Sequence, residues 1–508
     1  MTNMCFRTLL LVMVILLADA GPVPAVDTAP LHPIPTVLHA HTSWTTGDQS
    51  LEELAARARS VGIEAVFLAE NHLQRYEYGL FPLRGLLRYR VEYPSILQKG
   101  PEAFLRAVEA VNARQKEVLF IPGVETIPHY YWTGSLLQGS LTMFDAQKNI
   151  LALGLYRPED YWQLPVAGNA AATGWGLYTL WLFSPALLVI PGLRFLFSFR
   201  RRTVQLQHFQ ITEKRRRTGP ALLCLAVAAA LLINNYPFRS TPVSAYDKDA
   251  GLKPHQRVID FVASRGGVAV WSLPEAKDHQ EIGVWRFHAT IHTDPYPADL
   301  LRTDQYAAFG GLYEDTTTFP EPGQGWDQLL VEYLRGVRKA PAWAVGEAAY
   351  HHEEQAGKRF GTVQTVLLVD QKGPAALLEA LRTGRAYALL RSPEEGLLLD
   401  RFKVARPGHA PGEMGGHVVL ATGERPEIQA AVRSSTGRPV KVKVRLIRSG
   451  SVLYSVAGET PITLHWTEPP PPSERETLLP PRRSGTRRAS NPGQPNLRHG
   501  RSVARRRW

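Results

Sequence analysis

Cysteine is almost missing from this chain: 508 residues contain two, Cys5 and Cys224, and both fall in apolar segments of targeting or membrane type. The remaining body therefore has no disulfide, no thiolate nucleophile and no cysteine-type zinc site. Any metal it holds must be bound through nitrogen and oxygen. Glycine-rich phosphate-cradling loops and a Gly-x-Ser-x-Gly nucleophile elbow are also missing, which removes two common routes to phosphate binding and acyl transfer. The body further lacks the basic excess that the formal charge of +12 implies. Residues 200–217 carry seven arginines and lysines against Glu213, a net of +6, and residues 474–508 carry ten arginines against Glu474 and Glu476, a net of +8. The remainder sums to −2. Neither a broad phosphate-binding face nor a specific nucleic-acid partner is expected of the body.

Long apolar runs are present. Arg7 precedes the run Thr8–Leu17, and Ala18-Asp19-Ala20 supplies small residues at cleavage positions. This pattern predicts a secretory signal peptide over 1–20, with an uncleaved anchor helix as the alternative; both export the chain beyond residue 20. In mid-chain, Trp175–Phe199 lacks charge until Arg194 and Gly219–Phe238 has none. Each meets the roughly 20 apolar residues needed to cross a bilayer. A pair of buried core helices would read similarly, but the basic connector 200–217 is the mark of a cytoplasmic loop. The expectation is a transmembrane hairpin over 173–240, membrane localisation, and both flanking regions on the periplasmic or extracellular face.

Between signal and hairpin the pattern is β-α-β-α-β, and it resumes after the hairpin. Ser50-Leu51-Glu52-Glu53 is a capping box opening an amphipathic helix that ends at Gly62. Ile63–Ala69 is apolar except for Glu64, as in a strand buried on both faces. Helices are expected over 101–115, 254–265, 326–337 and 373–383, with strands at Val118–Ile121, Ile150–Leu155, Val268–Trp271, Trp343–Gly346, Thr365–Val369 and Arg385–Leu389. Strands alternating with such helices imply a parallel sheet or barrel. One α/β domain is thus expected in two parts, 30–172 and 241–392, split by the hairpin. Alternating apolar residues at Val440–Leu446 and Val452–Val456 flank Arg448-Ser449-Gly450, so 393–468 is read as a small β-sandwich-like domain. From 469 to 508 the chain is Pro- and Arg-rich and expected to be disordered. The change of character after Thr460–Trp466 is abrupt; a shifted reading frame that removes a final strand and a genuine basic tail are both open.

His39 and His41 are two apart at the end of a strand, so their side chains leave one face. His72 comes after the second strand and Glu125 after the third. In a βα-barrel the strand ends converge on one rim, where sites are built. Neutral imidazole and carboxylate suit Zn2+, Mn2+ or Fe2+. His288 and His292 have a helical i, i+4 spacing, but Thr293-Asp294-Pro295 breaks the segment and they read as loop histidines.

His39-Ala40-His41-Thr42, Gly62-Ile63-Glu64-Ala65-Val66, Glu70-Asn71-His72, Pro122-Gly123-Val124-Glu125 and the late Gly346…His351 together resemble the PHP superfamily, the polymerase and histidinol phosphatase metal-dependent phosphoesterases. The resemblance spans roughly 36–156 and 250–392. It implies a distorted seven-stranded TIM-like (β/α) barrel, two or three metals in the family, and phosphoester hydrolysis by metal-activated water. It marks His39, His41, His72, Glu125 and His351 as metal ligands. The chain departs from the family pattern in several places. Thr46 stands at an acidic position with Asp48 nearby, Asn71 replaces an aspartate, Asn149 a common histidine, Leu273 the histidine of a His-Pro pair, and Ala349 a late aspartate. Asn71, Asp48, Glu347 and Glu70 are further candidates, and one or two divalent metals are expected. The functional expectation is a membrane-tethered extracytoplasmic metal-dependent hydrolase of a small-molecule or envelope phosphoester. The alternative is a catalytically degenerate PHP-fold binding or sensing module in the envelope.

Overall fold

The computed structural model describes residues 31–206, 209–239, 243–284, 287–314, 317–392, 395–406, 408–421 and 423–469. The expected signal peptide and basic tail lie outside the described residues. The elements that frame the site are β1 (His32–Ala40), α1 (Leu51–Ser60), β2 (Ala65–Leu68), β3 (Glu70–Asn71), α2 (Pro101–Arg114), β4 (Leu119–Ile121), β5 (Gly123–Thr126), β6 (Ile150–Leu153), α3 (Lys253–Ser264), β7 (Val268–Trp271), β8 (Ala308–Leu312), α4 (Gly325–Leu334), β9 (Trp343–Gly346), β10 (Val363–Val369), α5 (Pro374–Thr383) and β11 (Ala386–Leu390).

Local chemistry accounts for their ends. Ser50 Oγ accepts from Glu53 N at 3.2 Å while Glu53 Oε2 accepts from Ser50 N at 2.7 Å, so the capping box starts α1. Pro101 opens α2, where its missing N–H costs nothing, and Gly384 closes α5 at φ +75°. Only Ala69 separates β2 from β3, and only Pro122 separates β4 from β5. Proline cannot donate to a ladder, and at these two points the chain changes sheet.

One sheet runs β11-β10-β1-β2-β4 and a second runs β9-β8-β7-β6-β5-β3. Past β9 the chain returns to β1: Ala348 N donates to Leu38 O (3.0 Å), Tyr350 N to His39 O (2.9 Å), and His41 N to Tyr350 O (2.8 Å). The β1–β2, β2–β4, β3–β5, β7–β8 and β8–β9 pairs are parallel. The expectation of an all-parallel arrangement fails at two strands, because β6 is antiparallel to both β5 and β7, and β10 is antiparallel to β1. A parallel return needs a long crossover, usually a helix. Between β5 and β6 the chain forms two short antiparallel strands instead, Tyr131–Thr133 and Leu141–Phe144.

Strand residues alternate between two buried clusters. Val66 and Leu68 join Leu54, Phe104 and Trp271, while Ala65 and Phe67 join Leu38, Ile121 and Val270 together with Leu377 and Leu381 of α5. Both faces being buried explains the unbroken apolar run at 65–69.

Two helical stretches, Leu177–Leu196 and Thr218–Asn235, are long and apolar enough to cross a membrane by length and composition, and only 11% of each is buried. The basic connector between them is an antiparallel ribbon of Phe199–Leu206 and Phe209–Arg216. After β11, a four-stranded antiparallel sheet (Leu397–Ala405, Gly412–Glu413, Glu427–Ser434, Ile462–Thr467) stands beside the hairpin Lys441–Arg448/Ser451–Glu459. They share a small core of Ile428, Ala430, Leu446 and Leu464. The hairpin turns through Ser449 and Gly450, both at positive φ.

Candidate metal centre

The end of β1 carries the centre. His39 breaks the register between Leu38 and Ala40 and sits at φ +67°, a left-handed conformation that non-glycine residues seldom adopt. This kink brings His39 Nε2 to 3.1 Å from His41 Nε2. Glu125, from β5, lies 3.6 Å from each, Oε1 to His39 and Oε2 to His41. These three ligand atoms lie within 4.8 Å of one another. A tetrahedral site with bonds of roughly 2.0–2.1 Å would hold donors ~3.3–3.4 Å apart, so the spacing fits one small divalent cation.

The far side of each ring is occupied. His39 Nδ1 donates to Glu347 Oε1 at 2.6 Å, and that carboxylate also accepts from Ser272 Oγ at 2.5 Å and Leu273 N at 2.9 Å. His41 Nδ1 faces the hydroxyls of Thr45 (3.4 Å) and Thr46 (3.5 Å). Both Nε2 atoms are thus left to a common point, with a carboxylate behind one ring in the arrangement that orients metal-ligating histidines. Electrostatics agree. Burial alone would depress His39, yet Glu125 and Glu347 outweigh it and raise it to about 9. Burial would raise Glu125, yet His39, His41 and His351 pull it down to about 2. Two carboxylates, Glu347 fully buried and Glu125 at the cleft, therefore make a field that favours positive charge. Burial, then the neighbouring His351 and His39, hold His41 well below its ordinary value, in the neutral form a metal needs.

The other sequence candidates scatter around this core. His351 stacks on His41 with ring centroids 4.0 Å apart and an interplanar angle of 10°, and its Nδ1 meets Thr46 Oγ1 at 2.9 Å. His72 is buried, and its Nε2 donates to Tyr161 O at 2.7 Å while its Nδ1 has no protein partner among the described residues. It stands outside the three-donor group. Its Nδ1 and the equally unpartnered Asn149 Oδ1 belong to residues lining a cavity of about 10 Å3 beside Glu125, and Asn149 Nδ2 donates to Glu125 Oε1 at 2.6 Å. Asn71 donates to Thr46 Oγ1 at 3.3 Å. Asp48 is exposed and contributes only its backbone, donating to His351 O at 3.3 Å. Glu70 turns to the loop after β1, accepting from Thr42 N (2.8 Å), Thr42 Oγ1 (2.5 Å) and the Thr45 hydroxyl. Neither Glu70 nor Asp48 joins the donor group: one clamps a loop and the other faces solvent. Glu347 serves as a ring-orienting carboxylate.

A cleft of about 320 Å3 opens over the centre, and His39, Glu125 and His351 line it together with Gln74, Lys277 and Lys358. His288 and His292 lie on the strand Phe287–Thr293, correcting the loop reading, and His292 Nδ1 meets His279 Nδ1 at 3.1 Å.

No family model matches the chain, and no curated protein matches it. Solved structures similar to it include a two-domain protein of Bacteroides vulgatus containing a predicted PHP-like metal-dependent phosphoesterase. That match has 10% identity and a TM-score of 0.32, over 86% of this chain and 85% of that one. A second is a candidate metal-dependent phosphoesterase of Bifidobacterium adolescentis, at 14% identity and TM-score 0.26, over 64% and 90%. A third is an amidohydrolase of Chromobacterium violaceum with bound sulfate and no metal, at 12% identity and TM-score 0.26, over 69% and 97%.

Sequence reasoning missed Ser272, Thr42 and Thr45, whose hydroxyls fix the two inner carboxylates. It also missed Gly310, where a Cβ would collide with Glu347 Oε2. Glycine inside an otherwise apolar strand was the available signal, since it marks close approach of another group.

Proposed function

We propose that the chain is a membrane-tethered, PHP-type metal-dependent phosphoesterase with its catalytic body outside the cytoplasm. The observation that carries this reading is the convergence of His39 Nε2, His41 Nε2 and Glu125 at 3.1–3.6 Å, with His39 and Glu125 lining a cleft that two lysines also line. The hydrogen-bonded circuit from β1 through β9 and back is read as a distorted seven-stranded βα-barrel, with the strand ends supplying the ligands. His39, His41 and Glu125 would hold the cation, with His351 at its edge and His72 and Asn149 beside a second small cavity. A bound divalent ion supplies Lewis acidity and a nucleophile from water at neutral pH. Lys277 and Lys358 would meet the phosphoryl oxygens as point charges, and Glu347 would keep His39 aimed at the centre. The apolar helices 177–196 and 218–235 are read as the membrane hairpin, with the Arg-rich ribbon between them on the cytoplasmic side.

One observation favours a second reading, a binding or sensing module descended from such an enzyme. Among the described residues a single carboxylate, Glu125, joins the donor group, and neutral Thr46 and Asn149 stand where charged or imidazole ligands would enrich it. Purified full-length protein in detergent decides the matter. Elemental analysis should find a bound divalent transition metal, and generic phosphoester hydrolysis should depend on it. Protein with neither metal nor metal-dependent turnover rejects the enzyme. Bound metal lost in His39→Ala and His41→Ala, without turnover in the parent, favours the sensing module.

A further inference from the structure

We infer that the loop 80–87 is a membrane-interface wedge, docking the metal-bearing body onto the lipid surface at a second point beside the spans. The inference rests on the reading that Leu177–Leu196 and Thr218–Asn235 cross a bilayer.

The loop joins the antiparallel strands Arg75–Gly79 and Arg88–Glu92. It reads Leu80-Phe81-Pro82-Leu83-Arg84-Gly85-Leu86-Leu87. Water-facing hairpin tips are normally polar, yet this one exposes Leu80, Phe81, Leu86 and Leu87, with Phe81 81% exposed. Such a patch on an otherwise soluble body marks an interaction surface. Its position identifies the occupant. Gly85 N and Leu86 N both donate to Asn234 Oδ1, at 2.8 and 3.2 Å, and Asn234 is in the last turn of the apolar helix Thr218–Asn235. The chain leaving that helix is tied to the same hairpin: Gly79 N donates to Tyr246 OH at 2.6 Å, and the Arg84 guanidinium lies over the Tyr246 ring at 3.6 Å. The tip is thus held at the level where the span ends. Exposed Tyr89, Tyr93 and Tyr236 lie in the same segments, the residue type that collects at bilayer interfaces. A lipid surface continuous with the spans meets all of these features. A protein partner would have to share the patch with the bilayer that the helix end already occupies.

The consequence concerns the cleft. Gln74, which lines it, directly precedes the strand Arg75–Gly79 that ends at the wedge. At ~3.3 Å per residue, those five residues set the cleft roughly 16 Å from the base of the loop. A docked wedge would hold the mouth of the site near the head-group layer.

The test uses full-length protein reconstituted in phosphatidylcholine vesicles, with Cys5 and Cys224 replaced and one environment-sensitive fluorophore attached at a single new cysteine. Phe81→Cys reports the wedge, Leu222→Cys the span, and Glu109→Cys a solvated face of α2; all three positions are exposed in the fold. Nitroxide lipids should quench the labels at 81 and 222 and spare the one at 109. The label at 81 should be quenched most strongly by head-group nitroxide, and the one at 222 by mid-chain nitroxide. Quenching at 222 with position 81 behaving like 109 overturns the wedge and leaves the spans standing. No quenching at 222 overturns the spans, and the wedge falls with them.

Discussion

At the residue scale the centre is an exercise in satisfying buried charge. Glu347 is fully buried, and its oxygens are occupied by His39, Ser272 and Leu273. A carboxylate so placed fixes the tautomer of the ring in front of it and raises the basicity of Nε2. Glu347→Gln should therefore keep the fold but weaken metal binding by ~10–100-fold, the usual cost of losing such a partner. Competition against a chelator reads the loss, and an unchanged affinity would mean that Glu347 orients nothing. A second buried imidazole behaves differently. His255, stacked on Trp271 with centroids 5.2 Å apart, is held down at about 3 by burial and by Lys148. Its unfolded value is near 6.5, so folding favours the neutral ring. That stability is complete above pH 6.5 and drains away as pH falls toward the folded value. By pH 5 the loss is about 2 kcal/mol. His255→Phe should flatten the fall in melting temperature between pH 7 and pH 5; an unchanged slope would show that another group carries the acid lability. The same chemistry decides which site residues are legible in the sequence. His39, His41 and Glu125 are readable because each sits at or just beyond a strand end on the same rim, although the bulge at His39 that brings the two imidazoles together has no local signal in the sequence. His72 also sits at a strand end, but its Nε2 goes to Tyr161 O, a partner 89 residues away that no local spacing reveals.

At the scale of elements, strand ends gather the site and small residues let them approach. β8 passes Glu347 through Gly310, and β1 bulges at His39 to bring two imidazoles together. Positive φ at His39, Leu273 and Ala349 surrounds the centre, and each such residue costs of order 1–3 kcal/mol that its surroundings must offset. Gly310→Ala would drive a methyl into the Glu347 carboxylate. It should lower the melting temperature and metal affinity together, whereas Glu347→Gln lowers affinity with little effect on melting. Equal melting temperatures for Gly310→Ala and the parent would show that β8 has room to move. The helices and their caps were legible because capping boxes and N1 prolines act locally. The reversed β6 was not, since an apolar run of four residues fits either direction and the direction is decided by what the connection contains.

For the whole molecule, the question is whether the apolar hairpin is scaffold or appendage. Every donor of the centre, and every residue that orients one, lies outside 173–240, and the helices Leu177–Leu196 and Thr218–Asn235 bury only 11% of themselves in the fold. The ties between the second helix and the rest run mainly to the loop 80–87 through Asn234. The hairpin should then be removable. Replacing 177–239 with a Gly/Ser linker of about ten residues, which reaches ~16–19 Å in solution, should leave metal content per chain unchanged. In an alkaline wash of membranes the parent should stay in the pellet, while the shortened chain should be released, because the wedge alone buries too little apolar surface to anchor a body of this size. Release of both chains would mean that the apolar helices do not span. Loss of metal from a shortened chain that still melts cooperatively would make the hairpin part of the scaffold, and the two halves of the α/β body would then depend on it for their alignment.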